Sequence, residues 1–123
     1  MSDRTILVVD DSGIIREQLS HTLRFHGYTV LLADNGGQGL TVAMSHPEID
    51  LFIVDINMPN MNGLELLQAV RADYPEIKIG FVTSEQTDEM IELAMQNGAL
   101  FTIGKPFTVE IFQEKISLII GES

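Results

Sequence analysis

Apolar residues are grouped in short segments that alternate with segments of mixed polarity. The apolar segments are 6–9, 28–33, 51–54, 77–82 and 101–103. After the first of them, Ile15, Leu19 and Leu23 follow one another at four-residue steps. The polar residues between them, Arg16 included, are expected on the opposite side of a helix. The pattern therefore predicts strands that alternate with helices.

Residues typical of helix ends support this alternation. Asp11 or Ser12 can cap the first helix, and Gly27 would end it. Asn62 precedes another helical segment, and Gly98 would close the fourth helix. These residues give the approximate boundaries of the helices.

The character of two apolar segments indicates how the strands pack. Residues 6–9 and 51–54 are apolar at every position, which is typical of central parallel strands covered by helices on both faces. We therefore predict an α/β fold, a doubly wound (βα)5 parallel sheet with right-handed crossovers. In such sheets ligands bind beyond the carboxyl ends of the strands.

Polar residues follow four of the predicted strands, so they should meet at one edge of the sheet. They are Asp10-Asp11, Asp55, Thr83-Ser84 and Lys105-Pro106. Three converging carboxylates carry a charge of −3, which one lysine reduces only to −2, and a divalent cation would restore the balance. Oxygen ligands in a half-open site suit Mg²⁺ or Mn²⁺ better than Ca²⁺.

This set of residues suits phosphoryl transfer. An aspartate can attack phosphorus when its charge and that of the donor are screened. Asp55, on the central strand, would attack, while Thr83 and Lys105 would contact phosphoryl oxygens. Asp10 and Asp11 would hold the metal.

Composition and charge exclude several other functions. The 18 acidic residues against 7 basic ones give a net charge of −11, so nucleic acid and anionic membranes are not expected as partners. The absence of cysteine excludes a disulfide framework, zinc thiolate sites and thiol catalysis. No signal peptide and no apolar run of about 20 residues is present, so a cytoplasmic location is expected. The length of 123 residues is typical of one domain, 1–123.

Over residues 5–120 the chain resembles the receiver domain of the two-component response-regulator family. The matching motifs are Asp10-Asp11 after an apolar strand, the run Asp55-Ile-Asn-Met-Pro-Asn-Met-Asn-Gly63, Thr83-Ser84, and Gly98-Ala99 leading to Lys105-Pro106-Phe107. The resemblance implies a flavodoxin-like fold with strand order 2-1-3-4-5. It also implies a chemotaxis-regulator-like signalling protein, which is expected to be free-standing unless the sequence is part of a longer chain.

The resemblance implies roles for the residues at the sheet edge. Asp55 would accept a phosphoryl group from a histidine kinase or a phosphotransfer protein. Mg²⁺, or Mn²⁺ in its place, would be bound by Asp11, Asp55 and the backbone carbonyl of Asn57, with Asp10 acting largely through water. The only turnover would be self-phosphorylation from phosphodonors and self-dephosphorylation.

Further residues would assist the phosphoryl group or determine its lifetime. The resemblance implies that Thr83 and Lys105 contact the phosphoryl oxygens and that Pro106 follows a cis peptide bond. It also assigns control of dephosphorylation to Asn57 and Glu85.

The chain departs from the family pattern at the switch position. Members usually have Tyr or Phe three residues before the lysine, where this chain has Thr102, and Phe101 should point to the opposite face. Output through the usual aromatic switch is therefore not expected. An apolar face of Leu100, Phe101, Ile111 and Leu118 is the predicted surface for a target protein or for self-association, unless these residues are merely scattered over the surface.

Two other functions compete with the signalling function. The first is an Mg²⁺-dependent phosphatase of small molecules that forms an aspartyl phosphate, as in haloacid-dehalogenase-like hydrolases. In those enzymes the nucleophile ends the first strand, whereas here an acidic pair stands there and Asp55 comes later. The second is a flavin-binding domain, which would need a hydroxyl-rich first loop and aromatic walls that this sequence lacks.

Overall fold

The computed structural model describes residues 4–84 and 87–120, in which strands and helices alternate. The strands are β1 (Thr5–Val9), β2 (Thr29–Ala33), β3 (Leu51–Asp55), β4 (Ile79–Thr83) and β5 (Phe101–Gly104). The helices are α1 (Gly13–Phe25), α2 (Gly36–Ser45), α3 (Gly63–Arg71), α4 (Asp88–Gln96) and α5 (Val109–Ile120). All strand pairs are parallel and the order is β2-β1-β3-β4-β5, which confirms the predicted doubly wound, flavodoxin-like fold.

Helices cover both faces of this sheet. Every residue of β1, β3 and β4 is buried, as expected for strands that are apolar throughout or nearly so. One core contains side chains of α2, α3 and α4, and the other contains side chains of α1 and α5. Within the described residues no helix has the length and apolar character needed to cross a bilayer.

The first helix begins and ends close to the predicted residues. Ser12, and not Asp11, is the N-cap of α1, because the side chain of Ser12 accepts a hydrogen bond from the N–H of Ile15. After α1 and α4, Gly27 and Gly98 have φ angles of 91° and 93°. This left-handed conformation is favourable for glycine and stops a helix.

Two strands begin later than their apolar segments. The N–H of Tyr28 donates to Leu23 and that of Ile77 to Tyr74, so both residues belong to turns and not to β2 or β4. Their side chains nevertheless pack against the cores. Hydropathy alone does not distinguish a buried turn residue from the first residue of a strand.

The prediction that Phe101 belongs to an exposed apolar face is wrong. This side chain is 4% exposed and lies in the core under α1 and α5. It is paired in register with Gly80 of β4, where a Cβ atom would overlap its ring. Leu100, Ile111 and Leu118 are exposed, but Phe101 cannot contribute to a contact with another molecule.

Candidate functional site

Three carboxylates meet at the carboxyl ends of β1 and β3. Asp10 and Asp11 follow β1 and Asp55 ends β3, and one oxygen of each lies within 4.8 Å of the others. Asp10 and Asp55 are buried, whereas Asp11 is exposed. A cluster of carboxylate oxygens that is open on one side fits a hard divalent cation such as Mg²⁺.

Lys105 follows β5 and reaches across to this cluster. Its Nζ atom lies 2.9 Å from Oδ2 of Asp10 and 3.3 Å from Oδ2 of Asp55. The peptide bond between Lys105 and Pro106 is cis. The lysine therefore neutralises only part of the charge of the three carboxylates.

The surroundings raise the pKa values of Asp55 and of Lys105. Burial, and then the negative charge of Asp10, raise the pKa of Asp55 to about 6, although Lys105 and the N–H of Asn57 favour its ionised form. Burial opposes ionisation of Lys105 as well, but Asp10 and Asp55 outweigh it and raise the pKa of the lysine. The cluster is therefore short of positive charge.

Asn57 connects Asp55 with the end of β4. Its backbone N–H donates to Oδ1 of Asp55 at 3.1 Å, and its side-chain Nδ2 donates to Oγ1 of Thr83 at 3.1 Å. Thr83 is 1% exposed, whereas Asn57 is exposed. A polar amide thus covers the hydroxyl group beside the carboxylate cluster.

The turn from β1 into α1 places the two aspartates. The backbone N–H of Ser12 donates to Oδ1 of Asp10 at 2.9 Å, and Nη1 of Arg16 donates to the backbone oxygen of Asp10 at 2.7 Å. The helical pattern predicts that Arg16 faces away from the core, but in the structure its guanidinium contacts the end of β1. The available signal was its place near the amino end of a helix, where a cation is unfavourable.

The sequence profile of the response regulator receiver domain matches residues 6–117. The chain belongs to this family. Chemotaxis protein CheY1 of Helicobacter pylori is 37% identical over 119 residues, which cover 94% of this chain and 96% of the relative. Chemotaxis protein CheY of Pseudomonas aeruginosa is 38% identical over 117 residues, with coverage of 93% and 94%.

The solved structures give the same result. Chemotaxis protein CheY4 of Vibrio cholerae superposes with a TM-score of 0.90 at 34% identity, covering 97% of this chain and 100% of the other. This receiver domain is therefore similar over nearly its full length to stand-alone chemotaxis response regulators, which are signalling proteins.

The remaining predicted residues lie in different surroundings. Thr102, which stands three residues before Lys105, is half-buried on β5 and paired in register with Phe81 of β4. Ser84 is exposed after β4. Glu85, predicted to influence dephosphorylation, lies outside the described residues. The predicted residues that meet at the edge of the sheet are Asp10, Asp11, Asp55, Asn57, Thr83 and Lys105.

Proposed function

We propose that this receiver domain, 1–123, accepts a phosphoryl group on Asp55 from a histidine kinase or a phosphotransfer protein. The observation that carries the proposal is the position of Asp55, a buried carboxylate within 4.8 Å of two others and 3.3 Å from Lys105. This arrangement suits phosphoryl transfer because the reaction depends on positioning and on compensation of charge. Phosphorylation would then alter the surface that contacts other proteins.

The proposed transfer uses residues at the end of four strands. An oxygen of Asp55 forms a bond to phosphorus while the phosphorus–nitrogen bond of the donor histidine breaks, and the bonding electrons go to that nitrogen. Lys105, now paired with Asp10 and Asp55, would turn one N–H to a phosphoryl oxygen. The hydroxyl group of Thr83 would donate a hydrogen bond to a second phosphoryl oxygen.

The carboxylates fit the divalent cation that the family implies. Asp11, Asp55 and the backbone carbonyl of Asn57 would bind Mg²⁺ or Mn²⁺ directly, and Asp10 would act largely through water. The bound ion supplies positive charge that offsets the repulsion between the cluster and an anionic donor.

The exposed amide of Asn57 suggests a role in the loss of the phosphoryl group. Water must approach Asp55 from the open side of the site, where Asn57 is exposed and bonded to Thr83. We propose that this small polar side chain leaves room for the attacking water, so that the phosphorylated state is short-lived. The same role for Glu85 stays a prediction.

We propose that the output surface includes the exposed residues Leu100, Ile111 and Leu118. Leu100 directly precedes β5, and Ile111 and Leu118 lie on α5. The partner is a target protein or a second copy of the chain. Phe101, being buried, is left out of this surface.

Phosphorylation can be tested with a small phosphodonor. The wild-type protein, incubated with acetyl phosphate and MgCl₂, should gain one phosphoryl group by intact-mass spectrometry. Asp55→Asn should gain none, because it removes the attacking oxygen. Asp11→Asn keeps that oxygen and should be labelled much more slowly, because it weakens the proposed metal site.

Two results would contradict this function. Labelling of the Asp55→Asn protein would place the acceptor elsewhere, and full labelling of the wild type in excess EDTA would remove the role of the divalent cation. Many turnovers of small phosphomonoesters per protein molecule would instead favour the phosphatase.

A further inference from the structure

Arg16 occupies an unfavourable position for a cation. It is the fourth residue of α1, near the end of the helix where the unpaired N–H groups carry partial positive charge, and the first turn has no acidic residue. Arg16 is half-buried, and its Nη1 atom lies 2.7 Å from the backbone oxygen of Asp10. A specific contact with the end of β1 therefore offsets the cost of this position.

The contact matters because the two neighbouring aspartates are held differently. The carboxylate of Asp10 is buried, bonded to the N–H of Ser12 and paired with Lys105. The carboxylate of Asp11 is exposed, and among the described residues it has neither a hydrogen bond nor an ion pair. The direction of the Asp11 side chain therefore depends on its backbone.

Arg16 holds that backbone. The oxygen it binds belongs to the peptide group between Asp10 and Asp11, and a peptide group is planar. Holding this oxygen therefore restricts the positions open to the Asp11 Cα atom, which lies in the same plane. The N–H of Asp10, in the preceding peptide group, donates to the backbone oxygen of Ala33 of β2, so the backbone before the Asp10 Cα atom is held as well.

We infer that Arg16 is a positioning residue for the divalent cation. It orients the peptide group between Asp10 and Asp11 so that the Asp11 carboxylate lies next to Asp55 before the ion binds. This inference rests on the metal site of the proposed function. Positioning of ligands by residues behind them is a general requirement for tight metal binding.

The direction in which replacing Arg16 changes the Kd for Mg²⁺ distinguishes a positioning role from simple charge repulsion. The guanidinium of Arg16, bound to the backbone oxygen of Asp10, is a positive charge near the proposed metal site and repels Mg²⁺. Removing only this charge would therefore make Mg²⁺ bind more tightly. Removing a positioning residue would make Mg²⁺ bind more weakly. The two effects of Arg16 on the dissociation constant are therefore opposite.

Arg24 provides a matched control. It lies on the same helix, and its Nη2 atom donates to the backbone oxygen of Val30, six residues further along, just as Arg16 donates to Asp10 six residues earlier. Arg24 is in the last turn of α1, away from the carboxylates. Its replacement removes the same charge and the same type of contact at the opposite end of the helix.

The experiment is a titration with MgCl₂, followed by NMR at constant ionic strength. Arg16→Ala should raise the Kd for Mg²⁺ about tenfold. Arg16→Lys, which retains the charge and a shorter donor, should recover part of the affinity. Arg24→Ala should leave the Kd unchanged or slightly lower. Urea unfolding without Mg²⁺ shows whether both alanine variants lose stability while only Arg16→Ala loses affinity.

The outcomes distinguish the inference from the function on which it rests. A wild-type protein that binds no Mg²⁺ would overturn the metal site and the inference together. A wild type that binds Mg²⁺, with equal or tighter binding by Arg16→Ala, would overturn the inference alone. If Arg16→Ala does not fold, the inference is tested with Arg16→Lys. A Kd of this variant for Mg²⁺ equal to that of the wild type would overturn the inference.

Discussion

At the scale of single residues, Asp55 lowers the stability of the protein at neutral pH. Burial and the charge of Asp10 raise the pKa of Asp55 to about 6 in the folded state, above its ordinary value of 3.8. The folded protein thus holds this proton more tightly than the unfolded chain. The resulting contribution to the free energy of unfolding is fully present below pH 3.8 and is lost as the pH rises through about 6.

Asp55→Asn should therefore stabilise the protein in a pH-dependent way. At pH 8 the free energy of unfolding should rise by about 2 to 3 kcal/mol, because the buried charge is gone. At pH 4 it should change much less, since Asp55 is itself protonated there. Urea unfolding at both pH values measures the effect, and Asp73→Asn, at an exposed position after α3, is the control. The same stabilisation at both pH values would argue against this account.

At the scale of elements, α1 and α4 end in the same conformation but in different surroundings. Gly27 and Gly98 are both left-handed. A Cβ atom at Gly27 would meet nothing within 4 Å, whereas at Gly98 it would lie 2.6 Å from Nη2 of Arg71. Arg71 is the last residue of α3 and donates to the backbone oxygen of Asn97, so α3 holds the carboxyl end of α4.

Replacement of the two glycines separates backbone strain from this contact. Gly27→Ala should lower the free energy of unfolding by about 1 to 2 kcal/mol, from the left-handed conformation alone. Gly98→Ala should cost about 1 kcal/mol more, because Arg71 must move and give up its hydrogen bond. Urea unfolding measures both. In an Arg71→Ala background the difference should disappear, and a difference that persists would show another cause.

At the scale of the whole molecule, negative charge opposes folding. The net charge is −11, and three carboxylates are collected at one edge of the sheet, where Lys105 pairs with two of them, Asp10 and Asp55. A cation that binds there stabilises the folded state by an amount that depends on its concentration relative to Kd.

MgCl₂ should therefore raise the melting temperature. At ten times Kd the stabilisation should be about 1.4 kcal/mol. Because any salt screens a charge of −11, the control is NaCl at equal ionic strength, which should give a smaller shift. In the Asp11→Asn variant the melting temperatures in MgCl₂ and in NaCl should differ less than in the wild type. Identical melting temperatures in EDTA and in millimolar MgCl₂ would contradict specific binding.

Much of the fold could be predicted because it depends on local features. Segments 6–9 and 51–54 are apolar at every position, and they form central strands. Asn62 was expected before a helix, and it caps α3 through reciprocal hydrogen bonds with Glu65. Each of these features depends on a few consecutive residues. Parallel strands then necessarily have their carboxyl ends at one edge of the sheet.

Contacts between distant residues were decided only by the tertiary structure. Phe101 was predicted to be exposed but is buried, because its partner in register on β4 is Gly80, which leaves room for the ring. Arg16 turns back to Asp10, and Lys105 pairs with Asp10 and Asp55. The sequence by itself determined the elements and the order in which chemical groups reach the sheet edge. Packing across the sheet decided which groups touch, because burial and pairing depend on neighbours far apart in the chain.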